Sequence, residues 1–319
     1  MKVCLISFDF FSFDKNIALE LKRQNIETHH IDISKYNYQY PSFISKITNF
    51  LSKVFFKKNI KKIELEKDIL SRLEKLGHQD IILVIRPDRL TKETHLKIKK
   101  QTDKYITYIY DSCTRFPIDN LLKEKIFDTI YSFDLEDCKK FGFNFITNYI
   151  YLEKQEIQPL TKANNEVFII LSIDERLNLL NKIANYLSEK NITYKFIITG
   201  KRKPSNINST IIYTKKPIFI DALMTELENS NVYLDIIRHG HNGLSFRIFE
   251  ALAMQKKIIT TNKSISGYDF YNSNNILILD ENSEINIDPD FFRTPYEPLS
   301  DAVYYKYTIE NWVKTVFKL

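Results

Sequence analysis

Glycine is scarce, with six in 319 residues. Neither Gly-x-x-x-x-Gly-Lys-[Ser/Thr] nor Gly-x-Gly-x-x-Gly occurs, so the glycine-rich phosphate cradles of P-loop and dinucleotide-binding proteins are excluded. Cysteine is rarer still. Cys4, Cys113 and Cys138 are far apart, odd in number and outside any Cys-x-x-Cys, which argues against a disulfide framework or a zinc site. No run of ~18 apolar residues exists to span a bilayer. The apolar stretch Val3–Phe8 ends at Asp9, too short for a signal peptide. A cytoplasmic chain with reduced thiols is the expectation. Charge of neither sign dominates: 46 Lys and Arg against 40 Asp and Glu leave +6. That excess suits anionic small molecules or an anionic membrane surface and does not call for nucleic acid.

What the chain does carry is alternation. Val3–Phe8 is a short apolar run of the kind that forms a buried parallel strand. Asp14–Gln24 has helical spacing, and Glu27–Ile33 reads as a second strand. Phe43–Phe56 and Ile63–Leu76 read as amphipathic helices separated by a basic run. Asp80–Ile85, Tyr105–Tyr110 and Thr129–Phe133 are further strands. Gln155–Asn165 is polar, holds Pro159 and lacks periodicity, so it reads as a linker. The series then restarts. Strands are expected at Glu166–Leu171, Tyr194–Thr199, Thr210–Tyr213, Val232–Ile237, Lys257–Thr261 and Asn275–Leu279. Helices are expected at Leu177–Lys190, Ile220–Asn229 and Leu244–Gln255, with an amphipathic aromatic segment over Asp301–Phe317. Strands alternating with helices imply parallel sheets. The predicted fold class is therefore α/β: two Rossmann-like doubly wound domains facing across a cleft, with ligands beyond the carboxyl ends of the strands.

The most informative stretch is Leu234–Asn262: a strand, a polar turn with Gly240 and Gly243, a helix, then a strand. Backbone N–H groups at a helix N-terminus seat phosphate well. Arg238, His239 and Arg247 add donors nearby, and Glu250 follows on the helix.

This stretch resembles the donor-nucleotide segment of glycosyltransferases with the GT-B fold. Within them it is most similar to the CgeB-like and lipopolysaccharide-biosynthesis glycosyltransferases of bacteria. Many retaining members have two glutamates eight positions apart here, the second binding the ribose. Glu250 matches the second and Asn242 stands at the first, so retention or inversion stays open. The resemblance implies a donor site made of Arg176, Arg238, Arg247, the turn ending in Gly243, Leu244 and Ser245, with Glu250 on the ribose. Lys201, in the Gly200–Lys203 segment after a strand, is a further candidate. Thr260–Asn262 and Tyr268–Tyr271 also look like this family. The implied domains are 1–154 for the acceptor, joined by a C-terminal helix over 301–319, and 166–300 for the nucleotide sugar. The implied activity is metal-independent transfer of a sugar from a nucleotide-diphosphate donor, with no cofactor. The acceptor would be a glycan or lipid-linked glycan of lipopolysaccharide or capsule.

Candidate catalytic groups lie mostly in the first half. Asp9, Asp111 and Asp134 each follow an apolar strand, and any of them is either a base that deprotonates the acceptor hydroxyl or a helix cap. Asp111 leads, because Ser112 and Arg115 make its loop polar. His239 is a donor to the diphosphate or a catalytic group. Each of Arg238 and Arg247 is a diphosphate ligand or half of a salt bridge. Asp288-Pro289-Asp290 imitates a metal-binding Asp-x-Asp but reads as a turn. Residues 43–62 combine apolar residues with clustered lysines. They form either a basic amphipathic helix on an anionic inner-membrane surface or a core-facing helix with solvated lysines. Two other functions stay open: a sugar-nucleotide epimerase of the UDP-N-acetylglucosamine 2-epimerase kind, and a non-catalytic nucleotide- or sugar-binding protein.

Overall fold

The computed structural model describes residues 1–9, 11–56, 59–160 and 165–319. Lys57 and Lys58 of the basic run, and residues 161–164 of the expected linker, lie outside the described residues. The chain divides into two compact units, Met1–Ile146 with Thr315–Leu319, and Thr147–Lys314.

The first unit is built on β1 (Lys2–Ser7), β2 (Glu27–Asp32), β3 (Gln79–Ile85), β4 (Thr102–Ile109), β5 (Thr129–Ser132) and β6 (Asn144–Phe145). They form one parallel sheet in the order β2-β1-β3-β4-β5-β6. Its helices are α1 (Phe13–Arg23), α2 (Phe43–Phe56), α3 (Ile60–Leu76), α4 (Lys92–Lys99), α5 (Asp119–Leu122) and α6 (Leu135–Phe141). The central strands β1 and β3 are near-continuous apolar runs because helices shield the sheet, whereas β2 at the edge (ETHHID) is largely polar. Cys4, Ile6, Ile82 and Val84 pack with Ile69 and Leu73 of α3 and Ile98 of α4. The strand order reverses between β1 and β3, which opens the crevice where such sheets bind ligands. The two-residue β6 has no apolar run to announce it and was not expected.

The second unit contains β7 (Asn165–Ser172), α7 (Leu177–Glu189), β8 (Tyr194–Thr199), β9 (Ile212–Thr214), α8 (Ile220–Glu228), β10 (Ser230–Asp235), α9 (Phe246–Met254), β11 (Lys257–Thr260) and β12 (Ile276–Ile278). Its sheet is again parallel, ordered β12-β11-β10-β7-β8-β9, and reverses between β7 and β10. On one face Leu180, Ile183, Ala184 and Leu187 of α7 meet Val167, Ile169 and Leu234. On the other, Ile248, Phe249 and Leu252 of α9 meet Phe168, Tyr233 and Ile258. With so few glycines, Asn25 after α1 and Asn191 after α7 take the left-handed backbone (φ 60° and 56°) that usually favours glycine.

Two expectations change. The segment over Asp301–Phe317 is not one helix. It is α11 (Asp301–Lys306) and α12 (Ile309–Phe317), following the short α10 (Asp290–Arg293). The backbone of Ile150 is the cause. Its N–H donates to Tyr307 O (2.7 Å) and its carbonyl accepts from Ile309 N (2.9 Å), so Tyr307–Thr308 bonds a neighbouring segment and breaks the helix there. Trp312 fixes α12 by donating its indole N–H to Thr147 O (3.1 Å). Nor is the start of the expected linker free: the Gln155 amide donates to Ala253 O (2.8 Å) at the end of α9.

His95 of α4 is fully buried in the first unit. The Pro87 carbonyl can only accept, so Nε2 carries the proton (2.9 Å), and Nδ1 accepts from the Tyr105 hydroxyl (2.6 Å). Burial lowers this imidazole from 6.5 to about 4. The unfolded chain therefore binds the extra proton between those values. The stabilising contribution is complete above about pH 6.5 and is lost as pH falls towards 4. The stability gap between wild type and His95→Gln should narrow by roughly 2–3 kcal/mol from pH 7.5 to pH 4.5. Comparing the two proteins at each pH cancels the opposite contribution of Asp9, Asp14 and Glu250, whose carboxyls burial raises. Denaturant titrations read the gap, and a constant gap would contradict a neutral buried imidazole.

Candidate functional site

The site in the second unit grows from the carboxyl ends of β7 and β10, where the strand order reverses. After β7 the chain turns through Asp174 into α7. Gly200, at the end of β8, makes room for this turn, since a Cβ there would lie 2.6 Å from Ile173 Cδ1. Asp174 gathers two arginines. Arg176 grips it with Nε (2.8 Å) and Nη2 (2.7 Å), and Arg238, just past β10, donates its Nε (2.9 Å). Burial alone would raise the Asp174 carboxyl. The hydrogen bonds and charge of Arg176, with the hydrogen bond from Arg238, outweigh it and hold the group below its usual range. One carboxylate against two guanidinium groups leaves a net positive charge at the switch point. Arg176 has Nη1 on the Ile236 carbonyl (3.0 Å) as well. The Nη groups of Arg238 have no acceptor among the described residues.

Beyond Arg238 the chain turns at Gly240. Its φ of 74° and the His241 N–H to Arg238 O bond (3.1 Å) are those of a turn that requires positive φ at its third residue. The next three carbonyls are tied down by side chains. Asn242 O accepts from Ser264 Oγ (3.0 Å), Gly243 O from Asn262 Nδ2 (3.2 Å) and Leu244 O from Asn148 Nδ2 (2.9 Å). In a planar trans peptide the N–H points opposite the C=O. Pinning these carbonyls therefore turns the amides of Gly243, Leu244 and Ser245 the other way, and among the described residues none of the three donates to a partner. They lie at the N-terminus of α9, where the helix dipole also favours an anion. Ser245 does not cap the helix with its side chain. Its hydroxyl donates instead to Asp235 Oδ1 (2.8 Å).

Asp235, the last residue of β10, is nearly inaccessible. Its carboxylate also accepts from Thr260 Oγ1 (2.9 Å) and from Arg247 Nη1 (2.8 Å), while Arg247 Nη2 donates to Ile170 O (2.8 Å). Arg247 thus makes the salt bridge that was one of its two readings. Glu250, one turn into α9, is 5% exposed, which rules out a solvated helix face. Its Oε1 accepts from the Tyr151 hydroxyl (2.6 Å). Burial and the nearby Asp235 raise its carboxyl, and the Tyr151 bond and Arg247 only partly offset them. His239 is exposed on the turn, and Lys201 is exposed beyond β8.

In the first unit, Asp9 follows β1 and accepts from the backbone N–H groups of Asp14 (3.0 Å) and Lys15 (2.8 Å), the contacts of a helix cap. Asp134 does the same for α6, accepting from Glu136 and Asp137. Asp111, just beyond β4, is paired with Arg115 at 3.3 Å. Asp288 accepts from the Asp290 N–H (2.9 Å), within a turn that opens α10. Among the described residues no three His, Cys, Asp or Glu side chains gather as a metal site.

The sequence reading named the arginines, the turn and Glu250. It missed Asp174, although that residue lies two positions before Arg176, and it missed Tyr151, Asn148 and Ser264. Their roles come from contacts across 99, 96 and 22 positions of chain, which no local pattern reports.

No protein-family model matches the chain, and no curated protein does. Solved structures do. A trehalose-6-phosphate synthase is similar over 100% of this chain and 98% of its own, at 10% identity and TM-score 0.58. A UDP-forming α,α-trehalose-phosphate synthase from Burkholderia xenovorans is similar over 99% and 98%, at 10% identity and TM-score 0.57. UDP-GlcNAc 2-epimerase from Methanocaldococcus jannaschii is similar over 100% of both chains, at 12% identity and TM-score 0.51. The chain has the GT-B fold. At such identities the likeness is one of fold, and the GT-B architecture comprises the two Rossmann-like sheets already described.

Asp174→Asn should remove the shared anion and lower stability by about 1–3 kcal/mol at pH 7. Because the folded carboxyl is held below its ordinary value of 3.8, its stabilisation is present above that pH and is lost as pH falls through the folded value. Melting curves at pH 7 and pH 3.5 should therefore show the deficit shrink. An equal deficit at both would mean that Asp174 carries no charge between the arginines.

Proposed function

We propose that this protein is a glycosyltransferase that moves a sugar from a nucleotide-diphosphate donor to a glycan acceptor. The observation that carries the reading is the set of three amides with no partner among the described residues, Gly243, Leu244 and Ser245, each following a pinned carbonyl, beside the incompletely neutralised pair Arg176 and Arg238. Both lie at the reversal point of a Rossmann-like sheet. Amides at a helix N-terminus and a guanidinium with unused donors suit a diphosphate, which gains negative charge as the glycosidic bond breaks.

In this reading Arg238 contacts the diphosphate directly, with His239 and Lys201 as exposed donors. Arg176 and Arg247 hold the loops through Asp174 and Asp235. Glu250, steadied by Tyr151, binds the ribose. Asp111 is the first choice for the base that takes the proton from the acceptor hydroxyl, ahead of Asp9. Transfer needs no metal or cofactor. The acceptor is a bacterial surface glycan such as lipopolysaccharide or capsule, supported by the likeness of Leu234–Asn262 to the lipopolysaccharide-biosynthesis and CgeB-like enzymes. Such acceptors are lipid-linked at the inner face of the cytoplasmic membrane, and the reading includes peripheral attachment there. The epimerase similarity favours one second reading, a sugar-nucleotide epimerase.

Calorimetry with UDP, GDP, CMP and dTDP should find one tight nucleotide. Arg238→Ala should weaken it by about 10–100-fold, the worth of a charge-assisted hydrogen bond, and Glu250→Ala should weaken it by roughly tenfold or more. Unchanged affinity in both variants would remove the site. Given the matching donor sugar, a transferase releases free nucleotide and an epimerase does not. Asp111→Asn should lower kcat by about 10²–10⁴-fold if it is the base, with nucleotide affinity retained.

A further inference from the structure

α2 is amphipathic the wrong way round. Phe43, Ile44, Phe50 and Phe55 are 65–75% exposed, and Ile47, Leu51 and Val54 are exposed too. The inward positions are polar: Asn49 is 3% exposed, and Ser45 and Ser52 are half-buried. Asn49 anchors the helix. Its Nδ2 donates to the Tyr40 hydroxyl (2.6 Å), and its Oδ1 accepts from the Ile60 N–H (2.8 Å). At ~100° per residue, the seven exposed apolar side chains fall in one arc about 140° wide, with Lys46 and Lys53 along one border. A core-facing helix with solvated lysines would put the apolar arc inward, so that reading does not hold.

Charge identifies what covers this face. From Ile33 through Ile63 the chain has seven lysines and not one Asp or Glu, where a stretch of that length carries about four acids at the chain's average. An apolar arc bordered by cations, within a segment cleared of anions, complements an anionic bilayer surface: acyl chains for the rings, lipid phosphates for the ammonium groups. The helix has 14 residues, and among the described residues no helix is long and apolar enough to cross a membrane. It would therefore lie in the plane of the interface.

We propose that α2 is a membrane-docking helix that seats the first unit on anionic lipid, with Phe43, Ile44, Phe50, Leu51 and Phe55 in the acyl boundary and Lys46 and Lys53 on the headgroups. The proposal deepens the lipid-linked-acceptor reading by naming the surface that would bring the enzyme to its acceptor.

The test uses the whole chain and protein-free vesicles of phosphatidylcholine with or without phosphatidylglycerol, so it needs neither donor nor acceptor. Failure of the glycosyltransferase reading would leave its outcome untouched. Wild type should co-sediment with the anionic vesicles. Phe50→Asp combined with Phe55→Asp should lower the partition coefficient by about 30-fold or more. Lys46→Glu combined with Lys53→Glu should lower it by about tenfold or more on anionic vesicles alone. Unchanged circular dichroism and melting in both variants exclude unfolding. Brominated lipid should quench Phe50→Trp emission and leave that of wild type, whose one tryptophan is the buried Trp312, unchanged. Absence of vesicle binding, or equal binding by the aspartate variant, would overturn the proposal. So would a self-association seen in sedimentation velocity that those aspartates abolish, since a second copy would then cover the face.

Discussion

A peptide plane presents its carbonyl on one side and its N–H on the other, and the second unit exploits this over three successive residues. Ser264, Asn262 and Asn148 each hold one carbonyl of the Asn242–Leu244 run, and the amides that follow face away from them. Phosphate-binding loops elsewhere rely on glycine to bring the backbone close to the anion. Here glycine is scarce, and positive φ is needed only at Gly240. The loop is shaped by what its carbonyls bond to. The remaining features of the site, the charge at Asp174 and the buried Glu250, have meaning only around that fixed backbone.

The arginines divide into two tasks through two aspartates. Asp235 is buried among Ser245, Thr260 and Arg247, so Arg247 ties α9 to the ends of β7 and β10. Asp174 is shared, and the sharing leaves part of Arg238 uncommitted. A buried ion pair contributes little net stability, because desolvating the charges offsets their attraction. Its value here is geometric: it sets guanidinium groups at the reversal of the strand order. Glu250 follows the same logic with a neutral partner. Burial disfavours its charge, and Tyr151 supplies a single strong donor.

Burial also separates α2 from α7 and α9. α7 and α9 each turn their apolar residues onto the sheet, and the cores on either face account for those side chains. α2 turns a polar triad inward and leaves Phe43, Phe50 and Phe55 in water. Among the described residues the Asn49 bonds tie this helix to Tyr40 and Ile60, and its large exposed apolar surface is of the kind that marks a docking face.

Period and spacing in the sequence determined the two series of strands, their parallel pairing and the helix that follows the Gly240–Gly243 turn. These depend on local pattern: apolar runs of strand length, helical spacing, and a turn residue able to adopt positive φ. The resemblance at Leu234–Asn262 drew attention to Arg238 and Glu250 for the same reason, since the motif is contiguous. Tertiary structure alone decided what each polar group is bonded to. Asp174 meets Arg238 across 64 positions, Ile150 breaks the C-terminal segment at Tyr307–Thr308, and Asn148 and Tyr151 reach Leu244 and Glu250 from nearly a hundred residues away. It also decided the direction of α2. Periodicity reports that a helix has an apolar side, but which way that side faces depends on what the rest of the chain packs against it.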